Sequence, residues 1–159
     1  MVKDEDWVLA SHALNEWVWR IWDFNNPNQC VRREGLGCAI GNAIGTALYY
    51  KDSGKLVIDI QPDGDFLFAA SSLWTVAHYR IPLLIVMFNN RSYYNDEGHQ
   101  EAVAITRKRP VENKGVGLRI EDPPVDFATL ARSFGIYGQG PIEEPAKLRS
   151  ALEKAVKYI

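Results

Sequence analysis

The chain is expected to fold as an open α/β sheet, mostly parallel, with helices on both faces. Three observations lead to this. Strand-like and helix-like segments alternate along most of the 159 residues. The segment Leu83–Phe88 is almost continuously apolar, as in a strand buried on both faces. Two polar clusters, Asp63-Gly64-Asp65 and Asn89-Asn90, each follow directly on a strand-like run. Alternation with long crossovers favours a parallel sheet, and ligands of such sheets sit beyond the carboxyl ends of the strands.

The elements are read in order. Trp7 to Ala10 reads as a short strand. His12 to Trp22 carries Leu14, Trp17, Val18 and Ile21 at helical spacing. Asp23 to Gln29 is rich in Asn and Pro and reads as a loop. Gly35 to Tyr50 is a glycine-rich entry into a helix of small residues, and Lys51 to Gly54 is a turn. Leu56 to Ile60 is a β-branched strand broken by Pro62-Asp63-Gly64, and Phe66 to Tyr79 is an apolar helix. Residues 91 to 124 show no clear period beyond a short turn near Ala102 to Arg107. Asp126 to Phe134 reads as a helix stopped by Gly135, Ile136 to Gly138 as a short strand, and Glu143 to Tyr158 as a final helix.

Composition narrows the class. Hydrophobic content of 47% and charged content of 24% are those of a globular chain of about one domain. A formal charge of -2 supplies no basic field, so nucleic acid and anionic membrane are not favoured partners. Cys30 and Cys38 are too few for a disulfide framework and lack zinc-site spacing. The absence of a charged-then-apolar leader and of a long apolar run points to a cytoplasmic protein. Trp7, Trp17, Trp19 and Trp22 crowd the first segment, as core or as a surface buried against another chain.

The chemistry is expected at the two polar clusters. Asp63 and Asn90 are hard oxygen donors of the kind magnesium takes, a few from protein and the rest from phosphate and water. Gly64 lets the backbone come close to an anion, and a helix starting near Phe66 would direct its free N–H groups to the same place. Each cluster alone is an ordinary turn. Together, at successive strand ends with a helix between them, they favour a metal and phosphate site. Gly35-Leu36-Gly37 lacks the third glycine of a dinucleotide fingerprint, and no strong strand runs into it.

Asp63-Gly64-Asp65, a helix, a strand and then Asn89-Asn90 resemble the diphosphate motif of thiamine diphosphate-dependent enzymes; Asp63 and Asn90 lie 27 positions apart, which fits. Ser72 to Tyr79 followed by Ile81-Pro82, and Glu34-Gly35-Leu36-Gly37 through Ala43-Ile44-Gly45, resemble stretches of the benzoylformate decarboxylase and acetolactate synthase relatives. The resemblance implies a thiamine diphosphate-binding fold with thiamine diphosphate and Mg2+ as cofactors. It implies Asp63, Asn90 and the backbone carbonyl of Ser92 as metal ligands, and Gly64 and Asp65 beside the diphosphate. It also implies Leu36 as the bulky residue that keeps the cofactor bent, Glu34 as a backbone acceptor for the aminopyrimidine, and Gly35 and Tyr93 as further cofactor contacts. Pro62 replaces the motif's first glycine, tolerable at a strand end where no ladder N–H is needed. Asp65 stands where serine is common; a carboxylate there would repel a diphosphate unless it points to the metal's water or to a basic group.

The family's ylide-promoting glutamate belongs to a pyrimidine-binding domain that nothing in residues 1–159 resembles, and the middle domain is also without a counterpart. The expectation is therefore a single diphosphate-binding domain with no catalytic residue of its own. It would serve a 2-oxo acid decarboxylase or carboligase, need a pyrimidine-binding domain or subunit, and assemble as a homo- or hetero-oligomer. The alternative is a non-catalytic cofactor-binding or assembly module. Three residue groups stand apart. His78 reads as structural, and His99 as a surface loop histidine, with a proton-shuttling residue that reaches substrate as the alternative. Arg107-Lys108-Arg109 reads as a solvated basic face or a contact for an acidic ligand. Gly37, Gly41 and Gly45 recur every four residues and form one smooth helical stripe, facing either a partner or this chain's own core.

Overall fold

The computed structural model describes residues 6–12, 17–31 and 35–159. It divides into two compact units, Met1–Phe88 with Asp126–Ile159, and Asn89–Val125. The first unit is built on a parallel sheet of β1 (Trp7–His12), β2 (Leu56–Pro62) and β3 (Leu84–Phe88), in that order. Its helices are α1 (Trp17–Ile21), α2 (Ala39–Tyr49), α3 (Asp63–Leu67), α4 (Leu73–His78), α6 (Phe127–Ser133) and α7 (Pro145–Val156). The second unit holds α5 (Tyr94–Thr106).

β2 is the central strand, and its alternation sorts the two faces. Leu56, Ile58 and Ile60 join Trp7, Leu9 and Val18 of α1 in one cluster, closed by Trp22, Phe24 and by Ala155 and Val156 of α7. Val57 faces the other way, with Ala43 and Ala47 of α2, Val76 of α4 and Ile81. Phe66, Ile40 and Leu73 extend that second face toward Phe127 and Leu130 of α6. Helices therefore cover both faces, as the alternation of segments implies. α2 lies close on the sheet because Ala39, Ala43 and Ala47, at helical spacing, are all completely buried. The outer edge of β1 is covered by its own chain: Leu9 N–H donates to the Gln29 carbonyl and Val31 N–H to that of Leu9.

Several expectations are corrected. His12 ends β1 rather than opening the helix, whose described part is Trp17–Ile21; Leu14 lies outside the described residues. The helix expected over Phe66 to Tyr79 begins earlier, at Asp63. It breaks at Ala69 (φ -142°) into α3, a 3-10 turn at Ala70–Ser72, and α4. β3 is an edge strand of the described sheet, so its apolar run is only partly covered: Leu84 is buried, whereas Phe88 is exposed. Ile136 to Gly138 forms no strand. It folds back on α6, with Ile136 N–H bonded to the Ala131 carbonyl and the Gly138 carbonyl accepting from Arg132 Nη1 at 2.8 Å. A Cβ at Gly138 would stand 2.5 Å from the Ala128 carbonyl oxygen, so glycine permits that approach.

α5 is absent from the periodic reading for a physical reason. Its only buried residue is Glu97, so it has no apolar stripe to detect. Polar ties hold it instead: Lys114 Nζ reaches Glu101 at 2.6 Å, and the Ser92 hydroxyl donates to Glu97.

Asp126 caps α6, as its position before the helix suggests. Its carboxyl accepts from the Thr129 hydroxyl at 2.5 Å and from the Thr129 N–H at 2.9 Å. The Thr129 hydroxyl, then its N–H, hold the Asp126 carboxyl below the usual range. A lowered folded value means a contribution present above the unfolded value of about 3.9 and lost as pH falls through the folded one. Asp126→Ala should therefore melt below wild type at pH 7, and the gap should close below that value. Calorimetric melting at pH 7 and pH 2 checks this; an equal gap at both would refute the role of the charge.

Candidate functional site

The parallel register sets up the site. Pro62 pairs with Phe88, so β2 and β3 end level on the same edge of the sheet. Asp63 is the next residue after β2. Asn89 and Asn90 are the next after β3 and open the second unit. Pro62 has φ -78°, the value its ring prefers, and gives up its place in the ladder at the last strand position. Replacement of glycine by proline here therefore leaves the strand-to-helix turn undistorted.

In the first unit, Asp63 and Asp65 lie in α3 and are 1% exposed, and Gly64 between them is buried too. Asp63 Oδ1 accepts the Gly64 N–H at 2.9 Å. Asp65 is tied to two separate segments. Its Oδ1 accepts the N–H of Gly37 at 2.6 Å, and its Oδ2 accepts from Gln61 Nε2 at 3.0 Å. Gly37 belongs to the turn before α2, where Gly35 and Gly37 have φ of 65° and 81°. Leu36 between them is 53% exposed. A Cβ at Gly37 would come within 3.1 Å of Phe68 Cβ, so the turn sits directly on the residue that follows α3. Glu34 lies outside the described residues.

In the second unit, the residues after β3 form two consecutive side-chain turns. Asn89 Oδ1 accepts from Arg91 N–H and Asn90 Oδ1 from Ser92 N–H, at 3.2 and 3.0 Å, with Arg91 at φ 57°. Ser92 then pairs antiparallel with Arg119. That pair is made through the Arg91 carbonyl and the Tyr93 N–H, which bond to Ile120 and Leu118. In such a pair the backbone groups of the middle residue turn the other way, so the Ser92 carbonyl is directed away from Arg119. The Tyr93 carbonyl accepts from Asp96 and Glu97 at the start of α5.

Two residues of this arrangement carry no motif signal. Gln61 is fully buried, and its side of β2 was legible from the two-residue alternation with Val57 and Asp59. Glu97 is buried at 6%, with Arg119 Nε at 4.0 Å and the Ser92 hydroxyl against it; only its place at the head of an unrecognised helix would have revealed it. Other flagged residues are peripheral. His78 is exposed and stacks on Trp74 with centroids 4.5 Å apart. His99 and Arg107-Lys108-Arg109 are exposed in the second unit. Among the described residues no helix is long and apolar enough to cross a membrane.

Residues 13–158 match the family model of the thiamine pyrophosphate enzymes, C-terminal TPP binding domain; thiamine pyrophosphate is the same cofactor as thiamine diphosphate. The chain is similar to the probable acetolactate synthase large subunit of Methanococcus aeolicus, 30% identical over 88% of this chain and 22% of that protein. It is 28% identical to acetolactate synthase of Bacillus subtilis (strain 168), over 84% of this chain and 25% of the relative. It thus spans about a quarter or less of the length of these relatives. Among solved structures, benzoylformate decarboxylase from Polynucleobacter necessarius superposes with a TM-score of 0.76 at 21% identity, over 98% of this chain and 28% of that one, a likeness of fold. The fold, the register at the strand ends and the matched family model together place this chain among the thiamine pyrophosphate enzymes, as their C-terminal TPP binding domain.

Proposed function

We propose that this domain anchors thiamine diphosphate through a magnesium ion, for an enzyme that decarboxylates or ligates 2-oxo acids in the manner of acetolactate synthase. The observation that carries the reading is the register that pairs Pro62 with Phe88, since Asp63 follows the first of these residues in sequence and Asn89-Asn90 the second. The donor set fits the ion. Asp63 offers a buried carboxylate, Asn90 an amide oxygen and Ser92 a backbone carbonyl, all hard oxygens. Asp63 Oδ1 and Asn90 Oδ1 each accept a backbone N–H, and carboxylate and amide oxygens can accept from more than one partner. Gly64 would allow close approach of the diphosphate, and Leu36 would set the bend of the cofactor between Gly35 and Gly37. Glu34 and Tyr93 complete the proposed contacts. Bound thiamine diphosphate supplies the nucleophilic carbon and electron sink for cleaving the bond beside a carbonyl. This chain's residues bind and orient it.

A cytoplasmic setting is proposed from the sequence, whose only cysteines, Cys30 and Cys38, are too few for a disulfide framework. Calorimetry tests the metal. Thiamine diphosphate should bind with magnesium present and lose at least about tenfold in affinity in excess chelator or on Asp63→Ala, the loss of a charged ligand. Equal affinity with and without the ion would sink the assignment.

Turnover is proposed to need a pyrimidine-binding domain or subunit. The reading is supported by the fraction of its relatives that this chain spans. The pure chain should not decarboxylate pyruvate or benzoylformate, and mixing with a pyrimidine-binding partner should start turnover. Lost general acid–base assistance alone is commonly worth ~10²–10⁴ in rate. Steady turnover by the chain alone refutes this; binding without turnover even in the presence of its partner would favour the non-catalytic module.

The partner surface is proposed to include the outer face of α2; the first tryptophans lie on the other face of the sheet, where Trp7 is core and Trp22 packs against it. Gly41 and Gly45 have nothing within 4 Å of an added Cβ, so this stretch of the glycine stripe does not pack within the described chain. Leu48 and Tyr49, further along the same helix, are exposed at 55% and 80%. Apolar area of this kind marks contact surfaces. Gly41→Leu should fold normally and weaken assembly, read by sedimentation beside wild type. Unchanged assembly, or a wild type monomeric at high concentration with no partner recovered, would count against it.

A further inference from the structure

We propose that Asp65 is a positioning residue: it fixes the glycine turn, and with it Leu36, in the shape that receives the cofactor. The inference rests on the thiamine diphosphate reading above. Leu36 cannot hold its own place. It is more than half exposed, and its neighbours Gly35 and Gly37 are both at positive φ, in the most freely varying residue type. What fixes the turn comes from β2 and α3, 28 positions further along the chain. The Gly37 N–H donates to Asp65 Oδ1 at 2.6 Å, a backbone donor on a charged acceptor and so among the stronger hydrogen bonds. Phe68 closes on the same glycine from another side, 3.1 Å from where a Cβ would stand.

Gln61 shows which way the carboxylate is held. It is fully buried on the central strand and gives Nε2 to Asp65 Oδ2 at 3.0 Å. Its own Oε1 is buried and has no hydrogen-bond partner among the described residues. An unpaired buried acceptor is costly. The amide nonetheless takes this orientation, because the reverse would set its oxygen against the carboxylate. Asp65 is thus fixed by a donor on each oxygen, one from the strand and one from the turn. Both donors turn positive N–H ends toward the carboxylate, which lessens the repulsion it would exert on a diphosphate.

The consequence separates two halves of the cofactor. Asp63 acts on the diphosphate end; Asp65 acts on the ring end, through Gly37 and Leu36. The test uses the full chain, magnesium, and two probes: thiamine diphosphate, and inorganic pyrophosphate, which lacks the rings. Asp65→Ala and Leu36→Ala should each weaken thiamine diphosphate about tenfold, the scale of one lost charge-assisted hydrogen bond, and leave pyrophosphate nearly unchanged. Asp63→Ala should weaken both probes. Without any ligand, exchange of the Gly37 amide with solvent should be slow in wild type, faster by about tenfold or more in Asp65→Ala, and close to wild type in Asp65→Asn, which keeps an acceptor oxygen. A Gly37 amide unprotected in wild type overturns the proposal, as does an Asp65→Ala chain that loses both probes equally. If Asp65→Ala does not fold, Leu36→Ala on an exposed side chain carries the probe comparison and the wild-type exchange carries the rest. A wild type that binds neither probe overturns the cofactor reading instead, and the exchange measurement then decides by itself whether Asp65 holds the turn.

Discussion

Burial of β2 from Leu56 to Gln61 is the constraint on which the first unit depends. A strand paired on both edges and covered on both faces keeps these side chains out of water, so each must be apolar or matched inside. Leu56, Val57, Ile58 and Ile60 meet the first condition. Asp59 and Gln61 do not, and both are fully buried on the side of α2. Polar residues in that position are costly, and they stand just before the strand end where Asp63 and Asp65 follow. The polarity of the site therefore begins inside the sheet rather than at its rim. Gln61 is the visible link, since its amide reaches from the strand to Asp65 in α3.

This arrangement explains a substitution that a motif comparison leaves puzzling. Where relatives of this type commonly have serine, Asp65 brings a negative charge next to a place proposed for a diphosphate. A serine hydroxyl provides one oxygen; a carboxylate provides two, and here they join two segments that are remote in sequence. The glycine turn and α3 are tied by that residue and by the contact of Gly37 with Phe68. On the proposed reading Asp65 belongs with the scaffold rather than with the ligands, and Asp63, two positions earlier, is the carboxylate proposed for the cation.

How much of this the sequence revealed depended on whether burial left a periodic trace. The three strands and α2, α6 and α7 were legible because each buries apolar residues at spacing 2 or 3.6. The level ends of β2 and β3 followed from two polar clusters placed after two apolar runs. α5 was not legible, since its one buried residue is a glutamate and its ties are polar. The segment Ile136 to Gly138 has strand-like composition, yet Gly138 lets it close against α6, and that contact takes it away from the sheet. The break at Ala69 has no proline or glycine to announce it. It lets Phe66 and Leu73 both reach the same cluster from separate short helices.

The site residues divided along the same line. Asp63, Gly64, Asn90 and Leu36 could be proposed as site residues because a motif has fixed spacing. Gln61 and Glu97 could not, because each acts on a neighbour rather than on a ligand. Each is a buried polar group whose partner is itself at a named position: Asp65 for Gln61, and Ser92 for Glu97. Asp65, itself buried, and Ser92 are each held by a buried polar neighbour. A group meant to meet a cofactor must keep its geometry before the cofactor arrives, and an exposed loop of Gly35, Leu36 and Gly37 or of Asn89 and Asn90 has too much backbone freedom to do so unaided. Buried polar residues next to such loops supply the missing rigidity, and the cost of burying them is the physical sign that they do.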